Sequence, residues 1–372
     1  MPARRICVFC ERWESGGIES FLCNVLSRID RSNLEIDLVA ARLDPSMFTQ
    51  PLKDCGVHFY RLSGTPKKLI ENHRMFRSLL QTRQYDVVYL NVFQGMSLYY
   101  AYLAKKAGVP VRIAHSHNTD LRRSPTRAIK LWLHHRYSQR YAKDATALWA
   151  CSQGAAEFMF PPALLQALGY TFIPNGIDTN RFRFDPAVRE AVRQELGIAD
   201  CFVIGNVGRL CYQKNQSFLL DVLAEAIKLR PNCRLLLVGE GEDRRALEAK
   251  AAVLGLSGHV IFYGTSNRVE TLLWAMDTLA FSSRFEGLPV VAVEAQAAGL
   301  PMVCSEHITR QAFISPGIQQ LPLSAGAAAW AAALLNCAGS NRDTAHESVR
   351  NAGFDITQVA CRVEKALRGN IK

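Results

Sequence analysis

The sequence lacks a run apolar enough to cross a bilayer. Its longest weakly polar stretch, GAAAWAAALLNCAG, is well short of the ~20 residues a spanning helix needs. The opening MPARRICVFCERW has no apolar signal-peptide core. Both absences lead us to expect a cytoplasmic protein. No Asp-x-Asp, no Walker Gly-Lys-Ser/Thr and no G-x-G-x-x-G stands at a strand end. Low-complexity tracts, short repeats and nucleic-acid-binding motifs are missing as well. The eleven cysteines are odd in number and mostly scattered singly, the usage of a reducing compartment. Cys7 and Cys10 form a C-x-x-C, but on a strand these positions point to opposite faces and cannot share a metal. No cofactor and no metal are expected.

Acidic residues are scarce in the first half. Residues 1–175 hold 23 Lys+Arg against 13 Asp+Glu, and the remainder 21 against 20. The net charge of +11 is therefore concentrated in the first half, which suggests an anionic partner. Its centre is 121–143, LRRSPTRAIKLWLHHRYSQRYAK, with seven Lys/Arg and no acid. Here Arg122, Arg123, Arg127, Lys130, Arg136 and Arg140 accompany Trp132, Leu133, Tyr137 and Tyr141 at roughly helical spacing. That mixture describes an interfacial helix on an anionic membrane; the alternative is a solvated helix with its aromatics turned inward.

At 372 residues the chain is too long for one ordinary core and implies two domains. Strand-like runs alternate with helical periodicity throughout: RRICVFC, LEIDLVAA, YDVVYLNV, VPVRIAHS, ALWACS and TFIPN, then FVIGNVGRL, CRLLLVGEG, VIFYGT, TLAFSS and PMVCSE. Near-continuous apolar strands separated by helices predict parallel sheets covered on both faces, an α/β class. The turn cluster IPNGIDTNRF divides the series, giving domains 1–174 and 175–355. Two doubly wound domains would face each other across a cleft, with ligands beyond the carboxyl ends of the strands.

Residues after the strands are chemically unusual. Gly16 and Gly17 open a helix and offer amides to an anion, or simply make a tight turn. In AHSHNTD, His115 and His117 are expected to point to opposite sides, so that one at most faces a site; a hydrogen-bonded structural pair is the alternative. Arg209 and Lys214 flank a loop before a helix, a phosphate-binding pattern. Gly239 and Glu240 form another tight strand-to-helix turn. In RFEGLPVVAVEAQAAG, a helix is expected from near Leu288 to Gly299. Glu286 would precede it, the amides of Gly287, Leu288 and Val290 would form its N-terminus, and Pro289 has no amide to lose. Glu294 lies almost two turns further in, so the two carboxylates can touch two ends of one extended ligand.

These pieces, with GGIESFL, RIAHSHNT, IPNGID and GNVGRLCYQKNQSFLLDV, resemble glycosyltransferase family four in the right order over nearly the whole chain. More narrowly they are similar to its bacterial capsule and exopolysaccharide members. The resemblance implies the GT-B fold and a retaining sugar transfer from a nucleotide-sugar, a UDP-sugar most readily. The acceptor would be polyprenyl-diphosphate-linked or a saccharide, reached at the inner face of the cell membrane. It implies that Glu286 binds donor-sugar hydroxyls, Glu294 the ribose, and Arg209 with Lys214 the diphosphate, helped by the Glu-Gly-Leu-Pro turn and by Gly16 and Gly17, with Gly239 and Glu240 also donor-binding. His117, or failing it His115, would contact the sugar near the reacting carbon. The resemblance also makes 1–174 the acceptor-binding domain, to which a C-terminal helix over about 356–372 would return, and 175–355 the nucleotide-sugar-binding domain. Rival readings are a UDP-sugar 2-epimerase or phosphorylase on the same fold, and a basic nucleic-acid-binding protein.

Overall fold

The computed structural model describes residues 3–14, 16–121, 125–337 and 341–370. The chain divides into two compact units, Met1–Gly176 with Ile356–Lys372, and Ile177–Asp355. In the first, β1 (Arg4–Trp13), β2 (Leu34–Leu43), β3 (His58–Arg61), β4 (Val87–Val92), β5 (Val111–Ser116), β6 (Ala147–Ala150) and β7 (Thr171–Phe172) make one sheet in the order β3-β2-β1-β4-β5-β6-β7. The second contains β8 (Phe202–Val207), β9 (Cys233–Val238), β10 (Val260–Gly264), β11 (Thr278–Phe281), β12 (Met302–Ser305) and β13 (Ile318–Leu321), ordered β10-β9-β8-β11-β12-β13. Every strand pair is parallel. Each unit is thus Rossmann-like, and strand order reverses between β1 and β4 in one and between β8 and β11 in the other. Ligands of such sheets bind at that reversal, beyond the carboxyl ends of the strands.

Two strands escaped the periodicity. The residues of β3 and β13 are largely half-exposed or exposed, as edge strands are, so they lack the continuous apolar run that marks the central ones. By contrast, Val87–Val92 is buried throughout.

The helix Ile356–Leu367 belongs to the first unit although the chain reaches it from the second. Ile356, Val359, Ala360, Val363, Ala366 and Leu367 recur at helical spacing and are buried with Phe21, Leu22, Val25 and Leu26 of the helix Gly17–Leu26. Burying each larger side chain contributes about 1.5–3 kcal/mol. Arg368 fixes the end of this helix through Asp30 at 3.1 Å. Gly176 is required where the chain passes it, because a Cβ there would lie 3.0 Å from the Ile356 Cα.

Candidate functional site

The loops after β8 and β11 meet at the reversal point of the second sheet. Lys214 Nζ lies 2.7 Å from Glu286 Oε1, with both side chains largely buried. The ammonium also stands over the Phe281 ring, 5.2 Å from its centroid. Gln213 Nε2 donates to the Phe285 carbonyl at 2.9 Å and to Glu286 Oε2 at 3.4 Å. Asn215 takes a left-handed conformation (φ 59°) and donates to the Ser282 carbonyl, while Ser282 Oγ donates back to the Lys214 and Asn215 carbonyls. Arg284 donates to Asn215 Oδ1 at 2.7 Å and stacks on Tyr212. Both loops are therefore locked to each other before any ligand arrives.

Arg209 follows β8, and its exposed guanidinium makes no ion pair or hydrogen bond among the described residues. Its carbonyl accepts from Gln216 Nε2 at 3.0 Å. A Cβ at the neighbouring Gly208 would lie 3.2 Å from Lys214 Cε, so the strand end and the lysine stem are in contact. Gly239 packs on the Gly208 carbonyl with φ at 138°, a close approach only glycine allows. The Glu240 carboxylate pairs with Arg244 instead of standing free.

The helix after β11 spans Val290–Ala297, starting two residues later than the expected Leu288. Pro289 is its N-cap with extended ψ (110°), and Gly287 and Leu288 form a bend with Leu288 buried. Proline disfavours helical geometry in the residue before it, which explains the shift. Glu294, half-buried in this helix, has its pKa pushed up to about 7, first by burial; Arg181 opposes the rise and Glu270 adds to it. Arg181 itself pairs with Glu270 at 2.7 Å.

In the first unit Gly16 is the N-cap of the helix Gly17–Leu26 and both glycines are exposed. The amides there are not bare. The buried Glu19 folds back, its Oε1 accepting from the Glu14 amide at 3.4 Å, and its Oε2 would lie 2.7 Å from a Cβ on Gly16. Burial raises the Glu19 pKa, with backbone amides pulling it back down.

His115 and His117 share one face, contrary to the expectation that they diverge. Their ring centroids are 3.9 Å apart and both contact Phe21. Residues two apart on a strand point the same way, and the pair obeys that rule at the end of β5. His115 is fully buried and shares a 2.7 Å hydrogen bond with the Tyr89 hydroxyl through Nδ1. Half-buried His117 donates from Nε2 to Asn91 Oδ1 at 3.0 Å. Burial holds His117 down at about pKa 3, against the opposing pull of Asn175, so both rings are neutral near pH 7.

The basic segment forms the helix Arg127–Tyr141; Arg122 and Arg123 lie outside the described residues. Its aromatics do not form one stripe. Tyr137 and Tyr141 pack inward on Tyr99, and Tyr141 also on Tyr102. Trp132 and Ile129 are 64% and 63% exposed. Arg127 pairs with Asp120 at 2.8 Å, while Lys130, Arg136 and Arg140 are exposed. No described helix is long and apolar enough to cross a membrane, and no cluster of three or more His, Cys, Asp or Glu among the described residues could hold a metal.

Sequence reading passed over Glu19, Gln213, Asn215, Arg181 and Glu270. Of these only Asn215 carried a signal, as an asparagine ahead of a helix, where left-handed backbone is tolerated.

The family described as Glycosyl transferases group 1 matches residues 188–352, and a Glycosyl transferase 4-like domain matches 16–176. A Bacillus subtilis (strain 168) protein named as glycosyltransferase EpsF is 30% identical over 353 residues, covering 92% of this chain and 91% of its own. An Escherichia coli UDP-Gal:alpha-D-GlcNAc-diphosphoundecaprenol alpha-1,3-galactosyltransferase is 26% identical over 61% of this chain and 59% of its own. Among solved structures, Anabaena Alr3699/HepE in complex with UDP superposes with a TM-score of 0.79 at 21% identity, covering 98% of this chain and 99% of that one.

Proposed function

The chain belongs to the group 1 glycosyltransferases and has their two Rossmann-like units, the GT-B fold, and from that premise we propose that it transfers a sugar from a UDP-sugar, with retention, to a lipid-linked saccharide. The product would enter a cell-surface polysaccharide. The observation that carries this reading is the Lys214–Glu286 pair at the β8/β11 reversal, beside the unpaired Arg209. A leaving nucleoside diphosphate needs fixed positive charge where its own charge develops. Lys214, held in place by Glu286, supplies a point charge, and Arg209 a fork that fits phosphate. The first amides of the helix Val290–Ala297 add a partial positive end. In this arrangement Glu286 accepts from donor-sugar hydroxyls and Glu294 from the ribose. These side-chain and backbone charges do the neutralising, so the reaction runs without a metal.

Retention follows from substitution on one face of the sugar. The bond from the sugar carbon to the diphosphate oxygen breaks as the acceptor oxygen bonds to that carbon. The acceptor proton passes to the departing phosphate. His117, neutral and fixed by Asn91, hydrogen-bonds the sugar near the reacting carbon. UDP as the nucleotide and a diphospholipid acceptor are supported by the names of the similar galactosyltransferase and of the UDP complex. The exposed Trp132 and Ile129 beside Lys130, Arg136 and Arg140 suit a membrane face rich in anionic lipid.

A thermal-shift screen over UDP, GDP and their sugars tests the donor assignment. UDP or a UDP-sugar is expected to stabilise the fold, and Arg209→Ala to abolish the shift. An unchanged shift in that variant removes Arg209 from the site.

A further inference from the structure

The turn cluster IPNGIDTNRF carries an arginine that the mechanism above leaves unused. Within it the Arg181 amide donates to the Asp178 carbonyl at 3.1 Å and to Asp178 Oδ1 at 3.3 Å, closing a tight turn. Phe182, the next residue, is buried, and its carbonyl accepts from Trp274 Nε1 at 3.2 Å. The backbone at Arg181 is thereby fixed against the helix Val269–Ala275. The guanidinium reaches the start of the same helix. Its Nε donates to Glu270 Oε2 at 2.9 Å, and its Nη2 to the Asn267 carbonyl in the loop after β10.

Three charged groups share this place, and only two of them are paired. Glu270 has Arg181 and lies in the first turn of its helix, where the dipole favours an anion. Glu294 sits well inside the helix Val290–Ala297 and has no such help. Its carboxyl makes no ion pair or hydrogen bond among the described residues. Burial opposes its ionisation most, Arg181 favours it and Glu270 opposes it. The remaining charged neighbours of that helix act elsewhere. Arg342 donates to the Ala298 carbonyl past its end. On the adjoining helix Ala345–Val349, His346 is held down first by burial, with Glu347 raising its pKa and Arg183 and Arg350 lowering it.

A half-buried carboxyl with no donor is costly, and in its ionised form it offers two oxygens that only accept. Two adjacent hydroxyls on one ring, as ribose has, supply two donors. A phosphate would instead bring a further anion to two carboxylates.

From this arrangement we infer that Arg181 and Glu270 are positioning residues for the ribose end of the donor: the pair anchors the loop after β10 and sets the charge that Glu294 presents to the ribose hydroxyls. The inference rests on the donor reading above and adds a proton to it. The diol donates to the ionised carboxylate, so the Glu294 proton leaves to solvent as the nucleotide-sugar binds.

The test is calorimetric titration of the full chain with UDP-glucose, whose diphosphate diester keeps its charge throughout, from ~pH 5.5 to ~pH 9. Wild-type affinity is expected to rise about tenfold between ~pH 6 and ~pH 8, as the ionised fraction of Glu294 grows around a midpoint of about 7. Arg181→Met should move that midpoint up by about half a pH unit or more, and Glu270→Gln should move it down by a similar amount. Arg181→Lys, which keeps the charge, should stay near wild type. A merely structural pair would lower affinity in both variants at every pH with the midpoint unmoved. That result, or a wild-type affinity independent of pH, overturns the inference and leaves the donor reading standing. A wild-type protein that binds neither UDP-glucose nor UDP removes the donor reading, and the positioning role with it.

Discussion

Glu286 and Glu294 differ in what surrounds them, and that difference sets what each substitution should do. Glu286 already neutralises Lys214, so its removal frees an ammonium for phosphate while deleting an acceptor for sugar hydroxyls. Glu286→Ala is expected to weaken UDP-sugar binding by about 10–100-fold, the worth of hydrogen bonds to a charged group, and to leave bare UDP binding nearly intact. Calorimetric titration of both ligands measures it, and equal losses would refute the role. Glu294 keeps its proton up to about pH 7 in the folded chain, against an ordinary value of 4.5. The folded state therefore binds more protons than the unfolded one between those values. The group's stabilising contribution is fully present below 4.5 and is lost as pH rises through about 7. Glu294→Gln should match wild type near ~pH 5 and exceed it by on the order of 1–3 kcal/mol at ~pH 8 in denaturant unfolding without ligand. A difference independent of pH would contradict a desolvated Glu294.

At the scale of elements, the strands that position both crevices were legible because they are buried on both faces and read as unbroken apolar runs. The edge strands β3 and β13 were not, since half-exposed residues lose that mark. The Lys214–Glu286 contact joins residues 72 apart; their places just past strands put both at one expected cleft, but nothing in the sequence showed that they pair. Within the basic helix, periodicity grouped Trp132 with Tyr137 and Tyr141. Packing separates them, because Tyr99 and Tyr102 on a neighbouring helix take up the tyrosines. Exposure of Ile129 and Trp132 one turn apart then makes a specific expectation. The double substitution Ile129→Ala with Trp132→Ala should lower binding to vesicles containing anionic lipid several-fold in a flotation assay, with the melting temperature unchanged. Undiminished flotation would take the membrane contact away from this helix.

Across the whole molecule, two sheets share a reversal of strand order, and the proposed diphosphate site lies at that of the second. The second unit sets a lysine, an arginine and a helix start at its reversal point. Charge follows a different distribution: the excess of Lys and Arg lies in the first half, where the helix Arg127–Tyr141 holds four of them, and not at the proposed diphosphate site. The most direct test is a crystal structure of the protein with UDP. The diphosphate is expected within hydrogen-bonding distance of Arg209 and Lys214, at the start of the helix Val290–Ala297. A diphosphate bound elsewhere, with Lys214 still sealed against Glu286 and Arg209 in solvent, would contradict the account.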